Sequence, residues 1–361
     1  MLWAIIGTII EPYGYTSLAT SKIAIVGEAW GEREAQLQRP FVGYTGHILD
    51  GMLRDAGIDR EQCLVTNVFN LHPPGNKLEF FCGPKSQSIP GYSPLVKGKH
   101  VRAEFIPELN RLAAELAGFN PNIIIGLGNT AMWALLGQTG ITKLRGTTHT
   151  STYTAIGFKV LFTFHPSFLV RGQWSQRPIV VLDLIKAKRE SATGEVARPA
   201  REIWIEPTLE DLYEFERRYI QPSTSAGGIL SIDIETTGKL ITCVGIAVSA
   251  GLAIVIPFFD RRRKTRNYWD SHDAEREAWL FIKRILELPS RKLFQNGLYD
   301  IAFLYRAIGI RVRGAEHDTM LLHHALQPES LKGLGFLGSI YTDEGAWKQM
   351  RGRTKTIKRE E

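Results

Sequence analysis

Short apolar runs alternate with stretches of helix length from Lys22 to about Lys186, and that alternation leaves few architectures open. In order they read KIAIVG, HILDGMLRDAG, CLVTNVF, FIPELNRLAAELAGF, NIIIGLG, NTAMWALLG and VLFTF. Strand-length runs separated by amphipathic helices predict βαβ crossovers on a mainly parallel sheet, a three-layer α/β/α domain. Residues Gly83 to His100 break the rhythm and read as a surface insertion. SATGEVARPAR, from Ser191 to Arg201, is small, polar and charged, as a link between domains is. EPTLEDLYEFERRY then opens a helix, with Thr208 placed to cap it and acids in its first turn. Beyond STSAGG, the strand-like runs ILSIDIETTG, ITCVGIAVSA and LAIVIPFF precede a helical stretch from about Ala274 and then KLFQNGLYDIAFLYRAIG. This second pattern predicts a mixed sheet in α/β style. The expected division is a first domain over 20–190, a linker and connecting helix over 191–226, and a second domain over 227–361. No repeat of solenoid period is present.

Composition sets the outer limits. The 361 residues suffice for two ordinary domains, and 44% hydrophobic with 22% charged residues is the balance of a soluble globular protein. A net charge of +7 and a pI near 9.2 mildly favour a polyanionic partner. Cys63, Cys82 and Cys243 lie far apart without a CxxC pair, so neither a disulfide framework nor a zinc site is expected. That usage points to a reducing, cytoplasmic setting. The opening MLWAIIGTII lacks a basic leader and a small-residue cleavage site, and it is too short to span a bilayer. No membrane partner is expected.

The polar motifs fall where the apolar runs end: GEAWGERE, RPFVGYTG, TNVFNLHPPGNK, GLGNTA, LRG at Leu144 to Gly146, and TFHPSFLVRG. Open α/β sheets put their ligand crevice at such strand ends. Three carboxylates on the first of these turns suit either a solvated loop or a catalytic floor. Phe41 can be core, Asn67 can cap a turn and His165 can be a satisfied loop histidine. Their order points further.

That ordered set resembles the uracil-DNA glycosylase superfamily, most closely its family-4 enzymes, over about Lys22 to Lys186. The resemblance implies that a base is flipped out, gripped and released as charge separates across the N-glycosidic bond. It implies Phe41 stacking on the flipped uracil and Asn67 reading its Watson–Crick edge through one donor and one acceptor. His165 would bond the uracil oxygen that gathers negative charge. Glu28 and Glu34 would orient or activate water and stabilise the cationic sugar, and Asn76 would help position the site. Two departures stand out. Trp30 occupies a position where the family has proline. The family's four iron–sulfur cysteines are missing, with Leu71 and Phe105 at two apparent ligand positions. No iron–sulfur cluster is therefore expected, and packed core should take its place.

SIDIETTG puts Asp233 and Glu235 two apart on an apolar strand, so both face one side. Paired acids there imply a cation. FQNGLYD adds Asn296 and Asp300, four apart at what reads as a helix start. The expectation is Mg2+ or Mn2+ on Asp233, Glu235 and Asp300, of the kind that hydrolyses phosphodiesters with a metal pair. The two motifs resemble the DnaQ-like 3′–5′ exonuclease superfamily, and Glu316 to Lys348 is similar to the proofreading domain of phage-type family A DNA polymerases. The resemblance implies an RNase H-like mixed sheet. The domain is expected to be partial, because the family's third motif should lie beyond Glu361, and the incomplete set of acids should hold metal weakly. Asp318 is expected to be structural, and Asp343 is not assigned to metal.

The whole reads as a DNA-processing protein of phage type, acting in the host cytoplasm. It is expected to excise uracil by hydrolysis and to carry part of a proofreading exonuclease domain. Its expected partners are DNA, single-stranded or uracil-containing, and a DNA polymerase domain or subunit. Two alternatives stay open: a degenerate, DNA-binding front end of a family A polymerase, and a nuclease subunit completed by a separate polymerase chain.

Overall fold

The structure is a computed structural model that describes residues 22–197, 200–342 and 344. MLWAIIGTII, Asp343 and the basic C-terminal stretch lie outside the described residues. The chain divides into two units, one comprising Met1–Ala197 with Gly338–Glu361 and the other Arg198–Leu337.

The first unit runs β1 (Ile23–Ala29), α1 (Glu32–Leu37), α2 (Tyr44–Asp55), β2 (Leu64–Phe69), β3 (Cys82–Gly83), β4 (His100–Val101) and α3 (Ile106–Phe119). It continues with β5 (Ile123–Leu127), α4 (Gly128–Leu136), α5 (Ile141–Leu144), β6 (Thr148–Thr150), β7 (Lys159–Thr163), α6 (Pro166–Val170) and α7 (Arg177–Glu190). Five strands form a sheet in the order β2-β1-β5-β7-β6. The pairs β1–β2, β1–β5 and β5–β7 are parallel, and the edge strand β6 is antiparallel. β5 and β7 are buried along their whole length, which is why they read as unbroken apolar runs instead of an alternation. α3 turns Leu109, Leu112 and Leu116 inward, spaced by three and four, and stops at Asn120 in the left-handed conformation. Parallel pairing brings the C-terminal ends of β1, β2, β5 and β7 to one edge of the sheet, where Glu28, Asn67, Gly128 and His165 stand.

The insertion is closed by an antiparallel ladder of β3 with β4. Inside that ladder Phe69 stacks on Phe81 at 4.2 Å, and Phe105 meets Phe81 edge-on at 5.0 Å. Phe105 is thus core, as expected. Leu71 is 40% exposed, so at that position the expectation of packed core is corrected. The loop leaving β2 carries it outward.

The second unit runs β8 (Glu202–Trp204), α8 (Leu209–Phe215), α9 (Gln221–Ser225), β9 (Leu230–Thr237), β10 (Leu240–Ser249), β11 (Leu252–Pro257) and α10 (His272–Glu287). β12 (Lys292–Phe294), α11 (Gly297–Ile308), β13 (Ala315–Asp318) and α12 (Thr319–Leu326) follow, and α13 (Leu334–Tyr341) spans the residues at which the two units divide. The sheet order is β13-β12-β9-β10-β11-β8. β9, β10 and β11 form an antiparallel meander. β12 joins β9 in parallel and β13 joins β12 in parallel. That is the mixed, RNase H-like order. β9 alternates buried Leu230, Ile232 and Ile234 with outward Ser231, Asp233 and Glu235. α10, capped by the Ser271 side chain on Ala274 N, buries Phe281, Ile282, Ile285 and Leu286. Each such side chain contributes about 1.5–3 kcal/mol by leaving water.

One boundary differs from the sequence reading. Residues 202–225 do not act as a linker: β8 pairs with β11, and Leu212, Phe215 and Ile220 are fully buried in the second core. The helix expected there does form, with Thr208 and Asp211 making a reciprocal cap.

Candidate active site

Gly27, on β1, lies in register with Asn67 on β2. A side chain on Gly27 would collide with Asn67 Oδ1 and come within 2.6 Å of Phe41 Cε2. The absent side chain therefore makes room for two others, a carboxamide and an aromatic face, converging above the end of the sheet. Asn67 is 2% exposed and Phe41 5% exposed. Phe41 adopts a left-handed φ of +54°, a costly conformation for an aromatic residue. Arg60 Nη2 holds it there, donating to the carbonyls of Pro40 at 3.0 Å and Phe41 at 3.1 Å.

The Phe41 ring lies 5.8 Å from the His165 imidazole, tilted by 35°. His165 begins α6, and its Nδ1 accepts from Ser167 N at 3.2 Å, with the Ser167 hydroxyl 2.8 Å away. A ring nitrogen that accepts a backbone N–H carries no proton, so the neutral imidazole bears its proton on Nε2. Burial pushes His165 below its ordinary value, while the nearby Glu28 charge opposes that and Arg171 adds to it. Gly128, at φ +84°, packs against this residue: a Cβ there would sit 3.0 Å from His165 Cβ. Glu28 stands half-buried at the end of β1, and one of its oxygens, Oε2, accepts the Thr130 hydroxyl at 2.8 Å.

Glu28, Phe41, Asn67 and His165 thus gather at one end of the sheet. Glu34 and Asn76 behave differently. Glu34 is buried on α1, and its Oε1 accepts Gly43 N at 2.8 Å. Its other oxygen would lie 2.6 Å from a Cβ on Gly31. That carboxylate holds the turn that follows Phe41. Asn76 is exposed, at φ +55°, with Oδ1 3.2 Å from His72 Nε2. Trp30 donates its backbone N–H to Phe69 O at 3.3 Å, and its indole Nε1 is buried without a hydrogen-bond partner among the described residues. The sequence reading missed Arg60, Thr130 and Ser167, which fix the flagged side chains. Only Ser167 had a signal, as the serine of HPS.

A four-thiolate cluster does not fit this chain, which has three cysteines in all. In the second unit, Asp233 and Glu235 leave the same exposed face of β9. Asp300 lies in the first turn of α11, is 5% exposed, and accepts Ile234 N at 3.1 Å. Burial pushes Asp300 up to about 6; the Ile234 N–H opposes this, and the charges of Asp233 and Asp318 reinforce it. Mutually repelling carboxylates are the right chemistry for a hard divalent cation. Yet among the described residues no three His, Cys, Asp or Glu side chains gather into a metal-sized group. Asp300 accepts the Ile234 backbone N–H while Asp233 and Glu235 leave the outward face of β9. Asn296 precedes α11 in a left-handed conformation instead of sharing a helix face with Asp300. Asp318 accepts backbone N–H groups of Asn296, Gly297, Met320 and Leu321, a structural task.

A family model for the uracil DNA glycosylase superfamily matches residues 13–184. A type-4 uracil-DNA glycosylase of Thermotoga maritima is 34% identical over 171 residues, covering 46% of this chain and 77% of that protein. One from Sulfurisphaera tokodaii is 29% identical over 172 residues, covering 46% of this chain and 67% of that protein. A DNA polymerase of Bacillus phage SP01 is 24% identical over 330 residues, 84% of this chain but 32% of the polymerase, so the chain spans about a third of that relative. Among solved structures, the EXD2 exonuclease domain soaked in Mg and dGMP covers 38% of this chain and 68% of its own, at 14% identity and a TM-score of 0.28. No shared fold follows from that score, and the architecture of the second unit rests on its own strand order. No helix among the described residues is long and apolar enough to cross a membrane.

Proposed function

The chain belongs to the uracil-DNA glycosylase superfamily, and on that premise we propose that its first unit excises uracil from DNA by hydrolysing the N-glycosidic bond. The observation that carries this reading is the convergence of Asn67 and Phe41 over Gly27, with His165 beside the Phe41 ring. A flipped uracil lies against Phe41 and presents its Watson–Crick edge to the Asn67 carboxamide. The C1′–N1 bond breaks with its electron pair on the base, and the Nε2–H of neutral His165 donates to the oxygen that gains charge. Glu28, with one oxygen held by Thr130, faces the developing sugar cation and takes the proton of the water that captures it. Glu34 positions the Phe41 turn. Nothing in this sequence of events requires a metal.

For the second unit we propose an exonuclease-type, DNA-facing role linked to replication, with Asp233 and Glu235 as the residues that would hold Mg2+ or Mn2+. Such an ion polarises a phosphodiester oxygen. With Asp300 turned to backbone, binding is expected to be weak and removal of 3′ nucleotides slight.

The test is uracil-containing single-stranded DNA incubated with the protein in chelator. Alkali-labile abasic sites are expected, and Asn67→Ala should lower kcat/KM by about 1–3 kcal/mol of barrier or more, since a buried uracil edge is left unpaired. Uracil-selective binding without abasic sites would favour the degenerate, binding-only reading, which Trp30 at the proline position also favours.

A further inference from the structure

One half-buried cation beside the base-reading strand has no part in the chemistry above. Arg111, on α3, donates through Nη2 to the carbonyls of Asn67 at 2.8 Å and Val68 at 3.1 Å. Its Nη1 reaches Glu115 Oε1 at 2.8 Å and Thr66 Oγ1 at 3.2 Å, and its Nε reaches Glu108 Oε2 at 3.1 Å. The two acids extend the grip. Glu108 also accepts Asn70 N at 2.7 Å, and Glu115 accepts the Thr66 hydroxyl at 2.6 Å. Residues 66, 67, 68 and 70 are thereby tied to one guanidinium and its two carboxylates.

Among the described residues β2 is the outermost strand of its sheet, and no neighbouring strand holds one side of its backbone. The carboxamide of Asn67 is aimed by the peptide that carries it. A recognition group must be held within about 0.5 Å and 10–20° of its working geometry to discriminate. A planar fork with fixed donor directions does this for two adjacent carbonyls at once, which a lysine ammonium cannot. Glu108 and Glu115 together more than offset the single charge of Arg111, so the group lends no net positive field to the base. Its contribution is geometric.

We propose that Arg111 is a positioning residue for Asn67, setting the angle from which the carboxamide reads the base; this rests on the uracil-excision reading. Loss of the fork should therefore lower kcat and blur the choice of base, with little change in KM for DNA.

The test compares Arg111→Lys with Leu112→Ala, a core truncation one residue along the same helix chosen to soften the fold without touching β2's carbonyls. Expected for Arg111→Lys is a kcat loss of roughly 10- to 100-fold with KM nearly constant. Discrimination between uracil and cytosine in single-stranded DNA should narrow as well. The side-chain amide signals of Asn67, assigned by their absence in Asn67→Ala, should broaden or double in the free protein. Leu112→Ala should lower the melting temperature yet keep one sharp pair of Asn67 signals and the selectivity. The proposal is overturned if Arg111→Lys leaves those signals and the selectivity intact, or if Leu112→Ala alters both equally. The amide spectrum needs no activity: if the unsubstituted chain excises no uracil, the functional reading fails while the spectrum still decides the positioning role.

Discussion

Accepting the Ser167 backbone N–H at Nδ1 settles where the His165 proton resides, and burial keeps the ring neutral at physiological pH. The native ring binds its second proton less readily than the unfolded chain does. Between the lowered native value and the ordinary 6.5 the unfolded state therefore holds more protons, so stability rises with pH across that window. Protonation at Nδ1 would also break the Ser167 contact. Uracil excision should accordingly be level from about pH 7 upward and fall on the acid side of the ordinary histidine range. Because the Glu28 charge raises His165, Glu28→Gln should move the acid limb of the residual activity to lower pH. An unmoved limb, or one moved upward, would show that some other group controls the profile. That Glu28, Phe41, Asn67 and His165 lie together was legible in the sequence, because motifs at successive parallel strand ends share one end of the sheet. The tasks of Glu34 and Asp300 were not, because spacing gives the face a side chain leaves by but not the backbone donor it meets.

Elements were legible wherever burial alone decides them. The unbroken runs of β5 and β7 and the strict alternation of β9 each admit one reading. The misread stretch 202–225 is informative: β8 has three residues, two of them exposed, so no periodicity marks it as a strand. Its membership of the second core is set by pairing with β11. The ladder of β3 and β4 was equally silent, and the aromatic stack within it, Phe69 on Phe81 with Phe105 edge-on, is the packed core at the Phe105 position. Phe81 is fully buried at its centre. Phe81→Ala should destabilise the first unit by about 3–5 kcal/mol, the usual cost of an emptied aromatic site. Chelator should leave the melting temperature of the unsubstituted protein where it is. A fall of several degrees in chelator would mean that a metal, and not these rings, braces the insertion.

Across the whole chain the first unit is discontinuous. Arg145 and Asp183, each 1% exposed, form a buried ion pair, and the Thr163 hydroxyl donates to the same carboxylate at 2.6 Å. Arg145 Nη1 continues to Ser339 Oγ at 2.9 Å, and Lys186 Nζ donates to the carbonyls of Gly146, Ser339 and Thr342. Removing the guanidinium takes the paired charge from a buried carboxylate and leaves it the Thr163 hydroxyl, whereas removing the serine hydroxyl takes away one neutral acceptor. Urea unfolding should therefore show Arg145→Met costing about 3–5 kcal/mol and Ser339→Ala about 0.5–1.5 kcal/mol. Equal costs would place Ser339 in a larger role than one hydrogen bond. Nothing in the sequence announces this network, since directly bonded members are separated by as many as 194 positions.

That separation has a consequence for a growing chain. A ribosome adding about 5–20 residues each second needs roughly 10–40 s to travel from Arg145 to Ser339. During that interval the sheet and its crevice can assemble while the Lys186 ammonium still lacks the carbonyls of Ser339 and Thr342. The first unit is thus begun early and closed late, after the strands of the second unit have been made. A nascent chain stalled before Gly338 should be cut by protease near α7 far more readily than the released protein.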